Sequence, residues 1–226
     1  MNCSLLIVAS ISKWTDMSTL VHNVDGFDST WKCLVLGHNM GPHAIPDKCN
    51  FVLFRNTHWA EIIDISAPIV NRYNCDRHML VLDDVEIDFN HFNVQALVNY
   101  SLKHKLDVVS PIVHNATRAW MRRSCTTNPK YVEIYATLFT RRAWKFFQEL
   151  TRLVPGVGWG YDICLARRFR SGIDCGQIVR HMGHRSLRSS ISRARTEKEK
   201  IKRECPKPAR AHPPYAPRSP PAISLA

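Results

Sequence analysis

Short apolar runs alternate with segments of helical spacing over about the first 180 residues of the chain. The apolar runs have the length of buried β-strands and lie at 5–9, 33–36, 51–54, 79–82, 107–110, 131–139 and 177–181. Segments with helical spacing lie at 12–21, 58–73, 92–106, 141–154 and 162–169. Because strands that alternate with helices are typical of βαβ units, the pattern predicts an α/β sandwich around a mostly parallel sheet.

Individual residues predict where several of these elements begin and end. Ser12 or Thr15 is expected to cap the first helix, and Thr140 is expected to cap the helix that follows it. Pro68 predicts a break or a kink within 58–73, since proline lacks the backbone N–H that a helix interior needs. Pro111 is expected to end the strand at 107–110 for the same reason.

The positive charge of the chain is concentrated near its carboxyl end. The formal net charge is +12, and residues 180–226 hold 12 basic and 3 acidic residues, which leaves 19 basic and 16 acidic residues in the rest. The composition also changes after about residue 185, where Ser/Arg-rich sequence leads into a proline-rich end. We therefore expect a folded domain over 1–184 and a basic, disordered tail over 185–226, which offers weak contact with nucleic acid or acidic surfaces.

The eight cysteines are scattered, and no two of them have the two-residue spacing of a zinc site or a redox motif. Several lie in apolar runs, where a free thiol acts as a small hydrophobic group, so we expect free thiols and a reducing compartment. The amino-terminal MNCSLLIVAS lacks a basic start and is interpreted as a strand and not a signal peptide. With no apolar stretch of membrane-spanning length, a cytoplasmic location is expected.

Common motifs for nucleotide and hydrolase chemistry are absent. The chain has no GxGxxG after the first strand and no phosphate-binding GxxxxGK[ST] loop, which argues against a dinucleotide-binding dehydrogenase and a P-loop NTPase. It has no GxSxG motif, which argues against an α/β-hydrolase.

Four acidic residues follow the apolar run at 79–82, within the sequence LDDVEID: Asp83, Asp84, Glu86 and Asp88. A strand that ends in carboxylates places them at the carboxyl edge of a sheet, where open α/β folds bind ligands. Neighbouring carboxylates repel each other unless a cation or a set of donors holds them, and Mg²⁺ or Mn²⁺ prefers such oxygen ligands. The cluster therefore predicts either a divalent metal site or a solvated acidic turn.

Two later segments also carry candidate functional groups. In GWGYD, at 158–162, the glycines allow tight turns around Trp159, and Asp162 starts the next helix. Asp162 is interpreted either as a helix N-cap or as a carboxylate presented in a cleft as a general base. His181 and His184 flank the end of the last strand, where one of them could supply a metal ligand or serve a structural role.

The ordered set LDDVEID, VEIYATLFTRRAW at 132–144, GWGYD and a late His-x-Gly resembles GT-A-fold nucleotide-sugar glycosyltransferases. It is most similar to a plant and microbial domain family of unassigned function and to the amino-terminal transferase domain of a chlorella-virus glycosylation protein. The resemblance covers roughly residues 4–184 and implies a GT-A-like three-layer sandwich. It also implies a nucleotide-sugar donor and a glycan, protein or small-molecule hydroxyl as the acceptor.

Roles for individual residues follow from this resemblance. Asp84 is expected to bind Mn²⁺ or Mg²⁺ directly, with Asp83 acting through water or on the ribose. His181 matches a late histidine that completes the metal shell, and Asp162 matches the base of inverting members. The remaining positions are Glu86 as an alternative ligand, Ala9 and Ser10 after the first strand beside the nucleotide, and Trp159 against donor or acceptor. Val85 occupies the third position of the DxD pattern, so the ligand pair stays open among Asp83, Asp84 and Glu86.

Two other functions remain compatible with the sequence. The irregular acidic motif is compatible with a non-catalytic GT-A-like domain that binds carbohydrate or protein. The basic tail is compatible with nucleic-acid binding, although the nearly balanced charge of 1–179 argues against that function for the folded part.

Overall fold

The computed structural model describes residues 3–12, 15–38, 47–55, 57, 59–115, 125–155, 160–182 and 191–205. Within these residues the fold is mixed α/β, with nine strands in one sheet and seven helices. The strands are β1 Leu5–Ser12, β2 Lys32–His38, β3 Asn50–Phe54, β4 Arg77–Val81, β5 Val85–Glu86, β6 Val108–His114, β7 Thr126–Thr127, β8 Ala136–Thr140 and β9 Ser171–His181. The helices are α1 Met17–Asp25, α2 Trp59–Ile65, α3 Ala67–Arg72, α4 Val94–His104, α5 Arg141–Leu153, α6 Tyr161–Arg168 and α7 Ile191–Glu204.

The sheet has two halves with different strand directions. Its order is β3-β2-β1-β4-β8-β6-β9-β5, with β7 paired to β9. Strands β3, β2, β1 and β4 are parallel to one another, and we call them the parallel half. The others form the mixed half, where β6 and β9 are parallel but β8, β5 and β7 run antiparallel to their neighbours. The predicted mostly parallel sheet is therefore correct only for the first half.

Alternation of side chains along the buried strands places helices on both faces of the sheet. In β1, Leu6 and Val8 join the core cluster that contains residues of α2, α3, α5, α6 and α7. Leu5 and Ile7 join the opposite cluster, which contains residues of α4, and Ile11 packs against residues of α1. Every residue of β1 is buried because successive side chains point to opposite faces, and both faces are covered.

Several predicted element ends are confirmed. Thr140 caps α5, and its side chain accepts a hydrogen bond from the Ala143 N–H. The segment with Pro68 forms two helices, because α2 ends at Ile65 and α3 starts at Ala67 with the proline in its first turn.

Other predicted ends are wrong. Asp16 caps α1 instead of Ser12 or Thr15, and its side chain accepts from the Ser18 N–H at 2.9 Å. Strand β6 continues through Pro111 to His114, with a register shift between Pro111 and Ile112. A bulge tolerates proline because the local ladder is already interrupted there.

The predicted disorder of the tail is wrong for residues 191–205. Helix α7 lies within this segment, and Ile201 and Cys205 are buried in the same core cluster as residues of α5 and α6. Most residues of α7 are polar or charged, so the sequence did not indicate a packed helix. Burial of Ile201 and Cys205 anchors it to the core. Residues 183–190 and 206–226 of the predicted tail and its boundary lie outside the described residues.

The prediction of free thiols is also wrong. All eight cysteines are paired, as Cys3–Cys75, Cys33–Cys49, Cys125–Cys175 and Cys164–Cys205, with Cα–Cα distances from 4.4 to 5.5 Å. The partners are 16 to 72 residues apart in the chain, so local spacing gave no sign of them. Disulfides persist in oxidising compartments, and the reducing compartment expected from the sequence therefore loses its basis.

In the part of the chain that the structure describes, no helix combines the length and the apolar character needed to cross a membrane.

Candidate functional site

The ends of three neighbouring strands bring the candidate site together. Strand β4 ends at Val81 and leads into the acidic turn, while β1 ends at Ser12 and β2 ends at His38. Ser12 and His38 are partners in the parallel ladder, so their side of the sheet is the same carboxyl edge. This edge is where parallel sheets bind ligands, as predicted for the acidic cluster.

Asp83 is held at this edge by the end of β1. The Ser12 hydroxyl donates to Asp83 Oδ2 at 2.6 Å, and the Thr15 hydroxyl lies 3.5 Å from the same oxygen. Burial raises the pKa of Asp83, the Ser12 hydrogen bond partly opposes this, and the neighbouring Asp84 charge raises the pKa further. A carboxyl group in this environment favours an added positive charge, because a cation offsets both its burial and the repulsion from Asp84.

Asp84 contacts His181 where β5 pairs with the end of β9. Asp84 Oδ2 lies 2.8 Å from His181 Nε2, although the two residues are 97 positions apart in the chain. Burial alone would lower the pKa of His181, but the hydrogen bond and charge of Asp84 outweigh it, so the net pKa is raised. The structure thus brings together two of the three residues that the sequence predicts as metal ligands, Asp84 and His181.

The second oxygen of Asp84 fits a cation. Asp84 Oδ1 is buried and has no hydrogen-bond partner among the described residues. Those residues contain no group of three or more His, Cys, Asp or Glu side chains arranged to hold a metal. Mg²⁺ and similar ions are often held by only one or two carboxylates together with substrate phosphates and water, so a two-residue set with a free oxygen fits such an ion.

Glu86 lies apart from this pair. Its carboxylate is 3.5 Å from Arg180 Nη1, its partner in the β5–β9 ladder. Both line a wide groove of about 840 Å³ together with side chains of α1 and β6. The preceding residue, Val85, is buried in the core. The structure therefore does not bring Glu86 to Asp84 and His181, and the contact of Asp84 with His181 favours Asp84 among the ligand alternatives.

Asp162 lies in the first turn of α6 and does not cap it. The N-cap is Gly160, in a left-handed conformation with φ 104°, and it makes no side-chain capping bond. The Val132 N–H donates to the Asp162 carbonyl at 3.4 Å, which ties α6 to the segment before β8. The interpretation of Asp162 as an N-cap is wrong, while its role as a base stays a prediction. Trp159 lies outside the described residues.

Ala9 and Ser10 lie inside β1 and not after it, because the strand continues to Ser12. Both are buried, with 3% and 1% exposure. They line a cavity of about 10 Å³, which has room for about one water. The predicted position after the strand is wrong, and their contact with a nucleotide stays a prediction.

The sequence interpretation missed several residues near the site. Ser12 and Thr15 were assigned to helix capping, yet they contact Asp83. Tyr135 packs against His181 with ring centroids 4.6 Å apart, and the Glu133 charge helps to raise the pKa of His181. The Tyr135 carbonyl also accepts from the Leu82 N–H at 2.9 Å. In the sequence, Glu133 and Tyr135 are marked only by their position within VEIYATLFTRRAW.

No protein-family model matches the chain, and no curated protein matches its sequence. Solved structures do resemble it. A197 from STIV has a TM-score of 0.51 at 11% identity, covering 80% of this chain and 86% of A197. S. aureus TarS has a TM-score of 0.56 at 9% identity, covering 80% of this chain and 37% of TarS. A shorter TarS chain in complex with UDP has a TM-score of 0.53 at 9% identity, covering 78% of this chain and 60% of that one. Such low identities show a shared fold, and this chain spans well under half of the longer TarS chain.

Proposed function

We propose that the chain is a metal-dependent glycosyltransferase with a GT-A-like three-layer fold. It would move a sugar from a nucleoside-diphosphate donor to a hydroxyl acceptor with inversion. The observation that carries the proposal is the Asp84–His181 contact, which leaves Asp84 Oδ1 buried and unpartnered among the described residues. The ordered motifs and the fold shared with TarS, whose structure contains UDP, support the same class.

Asp84 and His181 would hold Mn²⁺ or Mg²⁺, with the remaining positions left to diphosphate and water. The bound ion would supply Lewis-acid stabilisation of the charge that develops on the leaving diphosphate. His181 would have to be neutral to act as a ligand, so ion binding would displace the ring proton that its contact with Asp84 favours.

Asp83 has a separate positioning role in this proposal. Ser12 engages one of its oxygens and fixes the orientation of the carboxylate. The carboxylate would accept a hydrogen bond from a ribose hydroxyl of the donor or from a water on the ion. A fixed acceptor at this place orients the donor before reaction, which lowers the entropic part of the barrier.

Asp162 would act as the general base. Its carboxylate would take the proton of the acceptor hydroxyl while the hydroxyl oxygen attacks the anomeric carbon from the face opposite the diphosphate. A single displacement of this kind inverts the configuration at that carbon. The acceptor would be a glycan, a protein or a small molecule with a free hydroxyl group.

Calorimetric titration of UDP in the presence of Mn²⁺ tests the proposal. We expect Asp84→Asn to weaken Mn²⁺-dependent UDP binding about tenfold or more, because the amide cannot replace the anionic ligand. Asp88→Asn is the matched control, since Asp88 belongs to the same acidic stretch but is exposed and bonded to His91. Equal UDP affinity in the wild type and in Asp84→Asn, or absence of any Mn²⁺ dependence, would contradict the proposal.

A second candidate is a non-catalytic domain of the same fold that binds carbohydrate or protein. It is favoured by buried Val85 in the third DxD position and by the small number of ligands at the metal site within the described residues. Slow hydrolysis of UDP-sugars separates the two candidates. An active transferase releases UDP at a measurable rate that Asp162→Asn lowers, whereas a binding domain releases none.

A further inference from the structure

Helix α7 packs directly on the start of α6, the helix that carries Asp162. A Cβ atom placed on Gly160 would lie 3.3 Å from the Lys198 Cα and 3.4 Å from the Ile201 Cβ. The backbone of α7 therefore sits in contact with the residue that caps α6. Ile201 is 1% exposed and belongs to the main core cluster. This part of α7 is thus a built component of the fold.

A disulfide fixes the same two helices to each other. Cys164, in the middle of α6, is bonded to Cys205, the residue that follows α7, with a Cα–Cα distance of 5.5 Å. Both cysteines are buried. The bond and the Gly160 contact lie on either side of Asp162 in the sequence of α6. Movement of α7 would therefore be transmitted to the turn that presents Asp162.

The rest of the molecule holds this turn from the other sides. Tyr161 is fully buried, its hydroxyl donates to the Val154 carbonyl, and its ring packs edge-on against Phe147. The carbonyl of Asp162 accepts from the Val132 N–H. These contacts anchor Tyr161 and the Asp162 backbone, and α7 packs against the neighbouring Gly160.

We propose that α7, clamped by the Cys164–Cys205 disulfide, is a positioning element for Asp162. This inference rests on the proposed function only for its catalytic consequence. Asp162 needs a fixed orientation to take a proton in line with the attacking hydroxyl, and small misplacements of such groups are costly. Helix α7 thus belongs to the working domain, and the Cys164–Cys205 disulfide helps to set the geometry of the base.

Amide hydrogen exchange of the Cys205→Ser chain tests the structural part. The N–H groups of Ile163 and Cys164 both donate to the Gly160 carbonyl and report on the first turn of α6. We expect their exchange to become about tenfold faster or more when the clamp is broken. Cys3→Ser is the matched control, because it breaks another disulfide whose loop of 72 residues ends in front of β4.

A milder second variant guards against loss of folding. Ile201→Val keeps the disulfide and the Ile201 atoms nearest Gly160, and it removes only the terminal methyl group of a side chain that is buried between the helices. We expect a smaller acceleration of the same two amides. Unchanged exchange in both variants, or equal acceleration in Cys3→Ser, would overturn the positioning role.

The catalytic part is tested on the same chains with UDP-glucose, UDP-galactose and UDP-N-acetylglucosamine. Breaking the clamp is expected to lower the rate of donor hydrolysis about tenfold or more while the Mn²⁺-dependent Kd of UDP stays unchanged. A parallel loss of UDP affinity would show a general structural role and overturn the inference. If the wild-type chain binds no UDP, the proposed function fails, and the exchange result still decides whether α7 holds α6.

Discussion

The two halves of the sheet differ in how they are built and in what they contribute to the site. In the parallel half, α1 lies between β1 and β2, and α2 and α3 lie between β3 and β4. This half supplies Ser12 at the end of β1 and Asp83 after β4. The mixed half runs in both directions and supplies His181 at the end of β9. The acidic turn crosses between them, because β4 is in the first half and β5 pairs with β9.

This difference explains why the site lies where it does. A parallel sheet alone offers strand ends that meet at one edge, which suits binding of a nucleotide. The acidic turn therefore places Asp83 beside Ser12 of the parallel half and the adjacent residue Asp84 beside His181 of the mixed half. A ligand bound at Asp83 and Asp84 would therefore contact both halves, and the junction between them has to be rigid.

His78 gives the largest expected effect on this junction. It lies in β4, is 2% exposed, and stacks on Trp144 of α5 with ring centroids 5.1 Å apart. Burial, aided by the charge of Arg141, lowers its pKa to about 4. As the pH falls, the unfolded chain therefore protonates His78 at a higher pH than the folded chain does. The stability that neutral His78 contributes is fully present above pH 6.5 and is lost as the pH falls towards 4. The expected loss is about 3 kcal/mol.

Urea unfolding across this pH range checks the prediction. His78→Phe keeps a stacked ring without a titrating group, and its stability should fall less than that of the wild type below pH 6.5. The comparison must be made between the two chains, because the raised pKa of Asp83 favours the folded state at acidic pH. If the free energy of unfolding changed with pH in the same way in His78→Phe and in the wild type, the lowered pKa of His78 would be contradicted.

Arg141 gives a smaller effect at the same junction. From the start of α5 it donates to the carbonyls of Asn74 and Cys75, at 2.7 and 2.8 Å, and it contacts Asp76 at 3.2 Å. Arg141→Gln leaves these carbonyls, just before β4, without their charged donor. We expect a loss of about 2 kcal/mol in the free energy of unfolding, measured by urea denaturation.

The neighbouring Arg142 is the matched control. Its side chain is 74% exposed and pairs with Asp107 within the mixed half. Exposed ion pairs contribute about 1 kcal/mol or less, so Arg142→Gln should give the smallest loss. Equal losses in the two variants would mean that contacts across the junction contribute no more than a surface pair.

The parallel half was the more predictable from the sequence. Strands β1, β2 and β4 are short apolar runs that are mostly buried, and such runs are visible without knowledge of their partners. The prediction for β3 missed only its first residue, Asn50. The ends of β1 were less clear, since Ser10 and Ser12 are polar residues inside or at the end of a buried strand.

The mixed half depends on contacts between distant residues. The bulge that admits Pro111 into β6 forms against β9, and the disulfide of Cys164 requires Cys205, 41 residues further along and just after α7. Neither partner is marked by local spacing. Likewise, the order of LDDVEID and His181 in the chain identified both residues, but only the fold shows which acid meets the histidine.

The central claim is that Asp84, in the turn that leaves β4, and His181, at the end of β9, hold one ion of a metal–diphosphate site. A double-mutant cycle on the Mn²⁺-dependent Kd of UDP tests it most directly, with Asp84→Asn, His181→Gln and the double variant. If both residues hold one ion, either substitution weakens binding and the double variant is little weaker than the worse single variant. Losses that multiply in the double variant, or a His181→Gln chain that binds UDP like the wild type, would contradict the account.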